Sequence, residues 1–290
     1  MVPHNHRNTI EYSDGTILSH HHLEGEQHLI RLQAPQIAAT ARAGSFVHLT
    51  VAPSLPLRRP LSIMRVDPTA GWIEILYKRL GEGTTLLSQR QIGEKISLLG
   101  PIGNGFQLNR DRPRPLLLGG GVGMPPMVFL ADQLRGDEGY HPLVILGSEV
   151  PFPFNPQPSA IMVSGLEPEV IAAMPLLEAW GVPSRLTSNQ GFSGCFSGYV
   201  PDLARIWLRS LAPEQLQEVE IFSCGPEPML EAVAHLAREF ALPCQVSLEE
   251  FMACGVGGCA GCVVEVTTTK GKAMRRVCVD GPVFAAAEVF

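Results

Sequence analysis

The sequence predicts a multi-domain protein: an antiparallel β-barrel at residues 8–110, a parallel-sheet α/β domain at residues 111–246, and a small cysteine-rich domain at residues 247–290. Three observations support this division. Short β-branched segments separated by turns fill the first hundred or so residues, as in a small barrel. Strands then alternate with longer helical segments, which is typical of a parallel sheet covered by helices. Four of the seven cysteines lie in the last part of the chain.

Composition narrows the function classes. The net charge of −6 argues against a general nucleic-acid-binding surface. No apolar run approaches the roughly 20 residues that a membrane-spanning helix needs. The first residues, "MVPHNHRNTIEYSDG", have no basic stretch followed by an apolar run, so no secretory signal is expected. We therefore expect a cytoplasmic protein with reduced cysteines.

The barrel prediction depends on six segments. They are "TILSHHHL", "QHLIRLQA", "SFVHLTV", "LSIMRV", "WIEILYKRL" and "KISLLGP", with one helical stretch, "GTTLLSQR", among them. His20, His21 and His22 alternate across the first strand, so all three cannot face the same way, and a metal site formed by them is not expected. His4 and His6 are expected in a mobile terminus. The polar, proline-rich "NRDRPRP" is interpreted as a linker.

The α/β prediction starts where "PLLLGGG" runs from a buried strand into glycines. Further strands are expected at "HPLVILGSE", "SAIMVSG", "VPSRLTS" and "EVEIFSCG". Helices are expected at "PPMVFLADQLR", "EVIAAMPLLEAWG", "YVPDLARIWLRSL" and "PEPMLEAVAHLAREF". After the cysteine cluster, "VVEVTTTKGKAMRRVCV" predicts a hairpin that turns near Lys270 and Gly271.

The cysteine cluster is the most specific motif. Cys254, Cys259 and Cys262 are spaced Cys-x4-Cys-x2-Cys, and Cys278 follows after fifteen residues. This is the plant-ferredoxin spacing for a [2Fe–2S] cluster, whereas a zinc ribbon usually has a second Cys-x2-Cys pair. Only Gly, Ala and Val separate the three cysteines, which lets backbone N–H groups approach a cluster closely. An iron–sulfur cluster is favoured over zinc and over buried, inert thiols.

Two further motifs predict sites for phosphate-bearing cofactors. In "LRRPLSIM", Arg59 is suited to a phosphate and Ser62 to a heterocycle, and "GEGTTLLS" offers glycines ahead of a short helix. Gly121-x-Gly123-x-x-Pro126 follows a strand and opens a helix, which lets the backbone approach a pyrophosphate. "CGPEPML" is a second strand-to-helix turn of the same sheet.

These motifs carry a resemblance. "RPLS", "GEGT", "GVGMPP" and "CGPEPM", in that order, are similar to the ferredoxin–NADP reductase superfamily, in which an FAD-binding barrel precedes a pyridine-nucleotide domain. "LYKRLGEGTTLLS", "LLGPIGNGF", "SLEEFMACGVGGCAGC" and "RVCVDGPVF" narrow it to the electron-transfer subunits of the NAD-dependent, two-subunit dihydroorotate dehydrogenase family. This resemblance covers nearly the whole chain.

The resemblance implies the cofactors FAD, a [2Fe–2S] cluster and NAD(H), and an FMN-containing catalytic partner subunit in a heterotetramer. It implies pyrophosphate near Gly119 to Gly123, nicotinamide near Cys224, and a Ser62 hydroxyl near the redox-active edge of the flavin. The implied cofactor-binding residues are Arg59, Pro60, Leu61, Ser62, Leu76, Tyr77, Lys78, Gly83, Thr84, Gly119, Gly120, Gly121, Gly123, Cys224, Gly225 and Pro226. Ser62 and Cys224 are the implied catalytic residues, and Cys254, Cys259, Cys262 and Cys278 the metal ligands.

Some features depart from the family pattern or stay open. Phe251 occupies a position that is often basic, and "TSNQGFSGCFSG" replaces a more acidic stretch. Glu149 weakly favours NAD over NADP. Cys195 and Cys244 are expected to be ordinary buried residues. Two alternative functions stay open. The first is the related FAD/[2Fe–2S] electron-transfer subunit of a sulfhydrogenase, a sulfite reductase or a ferredoxin-linked transhydrogenase. The second, more distant one is a non-catalytic zinc-bearing binding protein.

Overall fold

The computed structural model describes residues 10–290, so the expectation for His4 and His6 lies outside the described residues. The chain divides into two compact units. The first contains the described residues up to Phe106, together with Ser247–Phe284 and Val289, and the second contains Gln107–Val246, Ala285–Glu288 and Phe290. The barrel segment and the cysteine-rich segment thus fall within one unit. The predicted boundaries of three separate domains stay a prediction.

The first unit contains a seven-stranded antiparallel sheet. Its strands are β1 (Glu11–Leu23), β2 (Gln27–Gln33), β3 (Phe46–Leu49), β4 (Arg59–Ser62), β5 (Arg65–Asp67), β6 (Trp72–Lys78) and β7 (Lys95–Ile102), in the order β4-β3-β7-β1-β2-β6-β5. Two short helices, α1 (Pro35–Thr40) and α2 (Glu82–Ser88), lie between strands.

The strands form where the short segments separated by turns predict them. In β2, the side chains of His28, Ile30 and Leu32 are buried, while those between them are half-buried. β1 begins at Glu11, five residues before the predicted start, because its first half pairs with β7 and its second half with β2. The predicted segment "LSIMRV" divides between β4 and β5.

The second unit contains the predicted α/β sheet. Its elements are β8 (Arg114–Gly120), α3 (Met124–Leu134), β9 (Leu143–Gly147), β10 (Gln157–Pro158), β11 (Ala172–Ala173), α4 (Pro175–Ala179), β12 (Ser184–Thr187), α5 (Val200–Ser210), α6 (Pro213–Gln217), β13 (Val219–Cys224), α7 (Glu227–Glu239) and β14 (Cys244–Ser247). The pairs β12/β9, β9/β8 and β8/β13 are parallel, as predicted.

Two predictions in this unit are wrong. "SAIMVSG" is not a strand, because side chains bind its backbone: the Glu178 carboxylate accepts from the Ala160 N–H at 2.7 Å, and Arg185 donates to the Ile161 carbonyl at 2.8 Å. "EVIAAMPLLEAWG" is not one helix, since Pro175 lacks an N–H and begins α4 at its first turn, while β11 precedes it.

The chain ends with four elements. β15 (Val263–Thr268) and β16 (Gly271–Arg276) form the predicted hairpin, with Thr268 paired to Gly271. β17 (Val283–Ala285) and α8 (Ala286–Val289) follow, and β17 is the edge strand of the sheet with the order β12-β9-β8-β13-β14-β17. No helix within residues 10–290 is long and apolar enough to cross a membrane.

Candidate redox centre and cofactor sites

The cysteine loop between β14 and β15 has a backbone that requires small residues. Gly255, Gly257 and Ala260 have φ values of 68°, 79° and 53°, in the left-handed region. A Cβ on Gly255 would also lie 2.7 Å from Nδ1 of His48. The turn and the close approach to β3 therefore explain Gly255, and the turn explains Gly257.

The four thiols form two pairs. The Sγ atoms of Cys262 and Cys278 lie 3.3 Å apart. Cys254 and Cys259 form the other pair, in which the Cys259 side chain lowers the pKa of Cys254. Each sulfur of this second pair accepts from a backbone N–H. The Val256 nitrogen lies 3.5 Å from Sγ of Cys254, and the Gly261 nitrogen lies 3.4 Å from Sγ of Cys259.

The pKa values of the thiols reflect their surroundings. Desolvation raises the pKa of Cys254, but hydrogen bonds from the loop amides and from Cys259 outweigh it and bring the value to about 7. Burial, followed by the neighbouring Cys262, raises the pKa of Cys278 to about 12. The loop thus stabilises a thiolate at its exposed end, as a metal–sulfur centre requires.

The paired arrangement suits a binuclear centre better than a single zinc ion. Four thiolates on one tetrahedral zinc lie about 2.3 Å from the metal, which places all four sulfurs within roughly 4 Å of one another. Within residues 10–290, no three of these four cysteines have sulfur atoms that all lie within 4.8 Å of one another. Two thiol pairs, each able to hold one iron, fit a [2Fe–2S] cluster.

One cysteine pair is seated in an apolar core. Cys262 and Cys278 are each 3% exposed and pack with Phe46 of β3, Ile102 of β7 and Phe284. Phe46 is the register partner of Ile102 on one side and of Ser62 on the other. The Arg59–Ser62 segment is therefore one strand away from the core that holds this pair. Sequence reasoning missed Phe46 and Ile102, since they look like ordinary strand residues.

The closing segment is fixed to the same unit by polar contacts. The Asn104 side-chain amide donates to the carbonyls of Val279 and Asp280 at 3.1 and 3.0 Å. The Asp280 carboxylate accepts from the Arg276 N–H at 2.8 Å. These contacts join "GPIGNGF" to "VCVDGPVF" and hold Cys278 in place, which is a physical reason for both motifs.

The two consecutive arginines of "LRRPLS" have different roles. Arg58 is used internally, donating to the carbonyls of His48 and Ser97 and to the Ser97 hydroxyl. The guanidinium of Arg59 lies against Gly83, where an added Cβ would be 2.9 Å from Cζ. Arg59 and the "GEGT" turn thus come together as a cradle without side-chain bulk.

The remaining expected flavin residues lie in the same sheet. Thr84 holds the "GEGT" turn, because its hydroxyl accepts from the N–H groups of Leu80 and Gly81. In β6, Leu76 and Tyr77 are buried and Lys78 is half-buried. The Tyr77 hydroxyl bonds His20 at 2.9 Å, so that side chain is already engaged within the barrel.

In the second unit, the two glycine-bearing turns meet at adjacent strand ends. Gly119 at the end of β8 is the register partner of Cys224 at the end of β13. A Cβ on Gly123 would lie 2.5 Å from the backbone nitrogen of Gly225, and one on Gly120 would lie 2.5 Å from Sδ of Met229. The carboxyl ends of adjacent parallel strands are where nucleotides bind in such sheets.

Other predicted residues are placed as follows. Cys224 is 1% exposed. Glu149 is exposed just after β9. Cys244 is buried, as expected, whereas Cys195 is only half-buried; burial raises their pKa values, to about 12 and about 11 respectively. All seven cysteines are thiols rather than disulfides.

Comparisons with known proteins extend this picture. Residues 249–290 match the family model described as the iron-sulfur cluster binding domain of dihydroorotate dehydrogenase B. The dihydroorotate dehydrogenase B (NAD(+)) electron transfer subunit of Bacillus caldolyticus is 36% identical over 94% of this chain and 96% of its own. That of Geobacillus thermodenitrificans (strain NG80-2) is 34% identical over the same shares.

A solved structure gives the fold independently. The NADH-dependent reduced ferredoxin-NADP oxidoreductase is 25% identical, covers 96% of this chain and 90% of its own, and superposes with a TM-score of 0.75. Together these likenesses confirm the predicted fold class and the predicted resemblance. Since the identity to the curated relatives exceeds 30% over nearly the full length of both chains, the chain belongs to the family of dihydroorotate dehydrogenase B (NAD(+)) electron transfer subunits.

Proposed function

We propose that this chain passes electrons between NADH and the catalytic subunit of a dihydroorotate dehydrogenase, using FAD, a [2Fe–2S] cluster and NAD(H). Family membership supports this function. The observation that carries it is the pairing of β4 with β3, because it puts Ser62 beside Phe46, which packs on Cys262 and Cys278. FAD, when bound, accepts a two-electron hydride and releases electrons singly, which suits a one-electron acceptor such as the cluster.

The proposed cluster ligands act in two pairs. Cys254 and Cys259 would bind the cluster from the exposed end of the loop, and Cys262 and Cys278 would bind it from the apolar core. The N–H groups of Val256 and Gly261 point to the outer sulfurs and stabilise their negative charge. The buried pair keeps water away from the inner side of the site.

The proposed FAD site uses β4, β6 and the "GEGT" turn. Arg59 binds phosphate, and Gly83 with Thr84 provides the backbone that closes around it. Ser62 offers its hydroxyl to the flavin and is the proposed catalytic residue of this site. Pro60, Leu61, Leu76, Tyr77 and Lys78 complete the contacts, with Tyr77 contributing its backbone since its hydroxyl is engaged.

The proposed NAD(H) site lies in the second unit. Backbone N–H groups at Gly119, Gly120, Gly121 and Gly123 bind the pyrophosphate ahead of α3, whose aligned peptide dipoles favour an anion even though Pro125 and Pro126 in its first turn have no N–H. Cys224, with Gly225 and Pro226, receives the nicotinamide and is the other proposed catalytic residue. Glu149, exposed after β9, would accept from a ribose hydroxyl, which favours NAD over NADP.

The proposed partner is an FMN-containing catalytic subunit in a cytoplasmic heterotetramer. Seven cysteines without a disulfide among them suit a reducing compartment. Phe251, three residues before the first cluster cysteine, is 93% exposed, and Val256 in the loop is 49% exposed. Apolar side chains this exposed beside the cluster suit a surface that a partner covers.

A spectrum and a titration test the function. Protein purified anaerobically should show flavin bands together with long-wavelength absorption of the cluster, and NADH should bleach both. Co-expressed with the catalytic subunit, it should support NADH-driven reduction of orotate. A colourless, zinc-containing protein would contradict the proposal.

The runner-up is a related FAD/[2Fe–2S] subunit that serves another partner, as the likeness to the ferredoxin-NADP oxidoreductase allows. Partner identity separates the two. Co-purification with an FMN-containing subunit that binds orotate supports dihydroorotate dehydrogenase. Reduction of ferredoxin instead, with no orotate turnover, would support the runner-up.

We predict that Gly83→Ala lowers FAD occupancy. The added Cβ would displace the Arg59 guanidinium from the "GEGT" turn and so remove the proposed phosphate contact. The matched control is Gly81→Ala in the same turn, where nothing lies within 4 Å and the extended backbone suits alanine. Flavin content per protein, measured by absorbance after denaturation, should fall in the first variant alone. Equal flavin content in both would contradict the assignment of Arg59.

A further inference from the structure

Three histidines that the electron-transfer function does not use lie on one face of the β1–β2 hairpin. His20 and His22 are two residues apart on β1, and His28 is the register partner of His22 on β2. The ring centroids of His22 and His28 are 4.6 Å apart, and that of His20 lies 5.3 and 5.9 Å from them. His21 is exposed and pairs with Leu29. Strand alternation does turn His21 away from His20 and His22, as expected. The third histidine on their face is His28, from the neighbouring strand.

The cluster has the geometry of a metal site. One ligand nitrogen from each of the three histidines lies within 4.8 Å of the other two. Three imidazoles on a tetrahedral ion, each about 2.0–2.1 Å from it, have nitrogens about 3.3 Å apart. Small side-chain rotations therefore bring all three into coordination, with the fourth position left for water.

Hydrogen bonds orient one ligand in advance. Nδ1 of His20 is 3.0 Å from the Arg90 carbonyl, which can only accept, so this nitrogen carries the proton. The lone pair of His20 is thus on Nε2, where it accepts a hydrogen bond from the Tyr77 hydroxyl at 2.9 Å, and a metal ion would take the place of that hydroxyl. Metal-ligating histidines usually have such an N–H···O=C contact on their other nitrogen, because it fixes the tautomer and ring direction.

His28 supplies the second observation that points to a ligand. Its side chain is 4% exposed, stacks on the Tyr77 ring at 5.0 Å, and has an Nδ1 atom with no hydrogen-bond partner. An unpartnered buried nitrogen is costly unless something binds it. His22 is exposed and gives an ion access from solvent. Arg79, whose charge acts on His28, is neutralised by an ion pair with Glu26.

We propose that His20, His22 and His28 bind a divalent transition-metal ion of the zinc class, at a site separate from the four cysteines. Imidazole nitrogen suits zinc and its neighbours, whereas calcium and magnesium prefer oxygen. The ion joins the two strands of the hairpin and satisfies the buried nitrogen of His28.

The test uses zinc itself and the protein loaded with FAD and cluster, so that the cysteines are occupied. Isothermal titration should show one equivalent bound, and X-ray absorption at the zinc edge should show a nitrogen/oxygen shell near 2.0 Å rather than sulfur near 2.3 Å. His22→Ala removes an exposed ligand and should weaken zinc binding at least about 10-fold. His28→Gln should do the same.

His21→Ala is the matched control, since it changes the neighbouring exposed imidazole and should leave binding unchanged. His4 and His6 are present in every variant, so zinc held by them would not distinguish the variants. Circular dichroism of the metal-free proteins checks folding, and His22→Ala decides the result if His28→Gln unfolds. Absence of binding in the unaltered protein, undiminished binding in His22→Ala, or a sulfur shell would overturn the proposal.

Discussion

Replacing Cys259 with serine is expected to stop electron delivery to the catalytic subunit while NADH still reduces the flavin. Cys259 is the proposed ligand with an exposed side chain, so its loss removes a metal–sulfur bond without opening a cavity. Cys262 and Cys278, by contrast, are part of an apolar core, where substitution would also affect stability. The Arg59 and Gly83 contact of the proposed FAD site does not involve this loop.

The measurement separates the two half-reactions. Stopped-flow bleaching of the flavin by NADH should retain its rate, while NADH-driven orotate reduction by the assembled complex falls to background. The long-wavelength cluster absorption should be lost or altered. Cys195→Ser, a half-buried cysteine of the other unit, is the matched control and should change neither rate.

Loss of both half-reactions in Cys259→Ser would mean that the cluster chiefly holds the fold together. A melting curve distinguishes this from a selective defect, because a structural role lowers the unfolding temperature of the first unit. Retention of orotate reduction would contradict the assignment of Cys259 as a ligand.

Local chemistry explains which parts of the fold follow from sequence. In strands such as β2, buried and half-buried side chains alternate from His28 onward, and α7 begins after a proline and ends beside Arg238, so local sequence specifies each element. The segment "SAIMVSG" has strand-like composition, but distant side chains on α4 and β12 bind its backbone. Such contacts are long-range, and local propensity does not contain them.

The same distinction holds for the sites. The cysteine spacing identifies the cluster loop directly, because ligand positions within one loop are local. Strand pairing decides that the loop packs on Phe46 and Ile102. It also decides that His28 completes the histidine cluster. Strand alternation turns His21 away from His20 and His22, and the register of β1 with β2 places His28 on the face of His20 and His22. A one-residue slip would move His28 to the other face.

Gly123→Ala is expected to prevent NADH from reducing the flavin efficiently while leaving the flavin bound. Gly123 has a φ of −82°, which alanine adopts without strain, so the effect is purely steric. The new Cβ would clash with the carbonyl group of Cys224 and would lie 2.5 Å from the backbone nitrogen of Gly225. Backbone cannot rotate away as a side chain can, so the two turns must separate.

Such overpacking costs about 1–3 kcal/mol of stability. A shift of about 1 Å between the turns would misalign the nicotinamide and lower kcat/KM for NADH about 100-fold. Flavin content and the extent of reduction by dithionite should stay unchanged, because the proposed FAD residues belong to the other unit.

Gly136→Asn is the control at the far end of the same helix. Gly136 follows the C-terminus of α3 with a φ of 79°, a conformation that asparagine tolerates, and a Cβ added there would meet no atom within 4 Å. Its kcat/KM should match that of the unaltered protein. If Gly123→Ala also keeps its kcat/KM for NADH, the nucleotide does not bind at these two turns. The turns cannot accept the methyl group and also keep the spacing that the pyrophosphate requires.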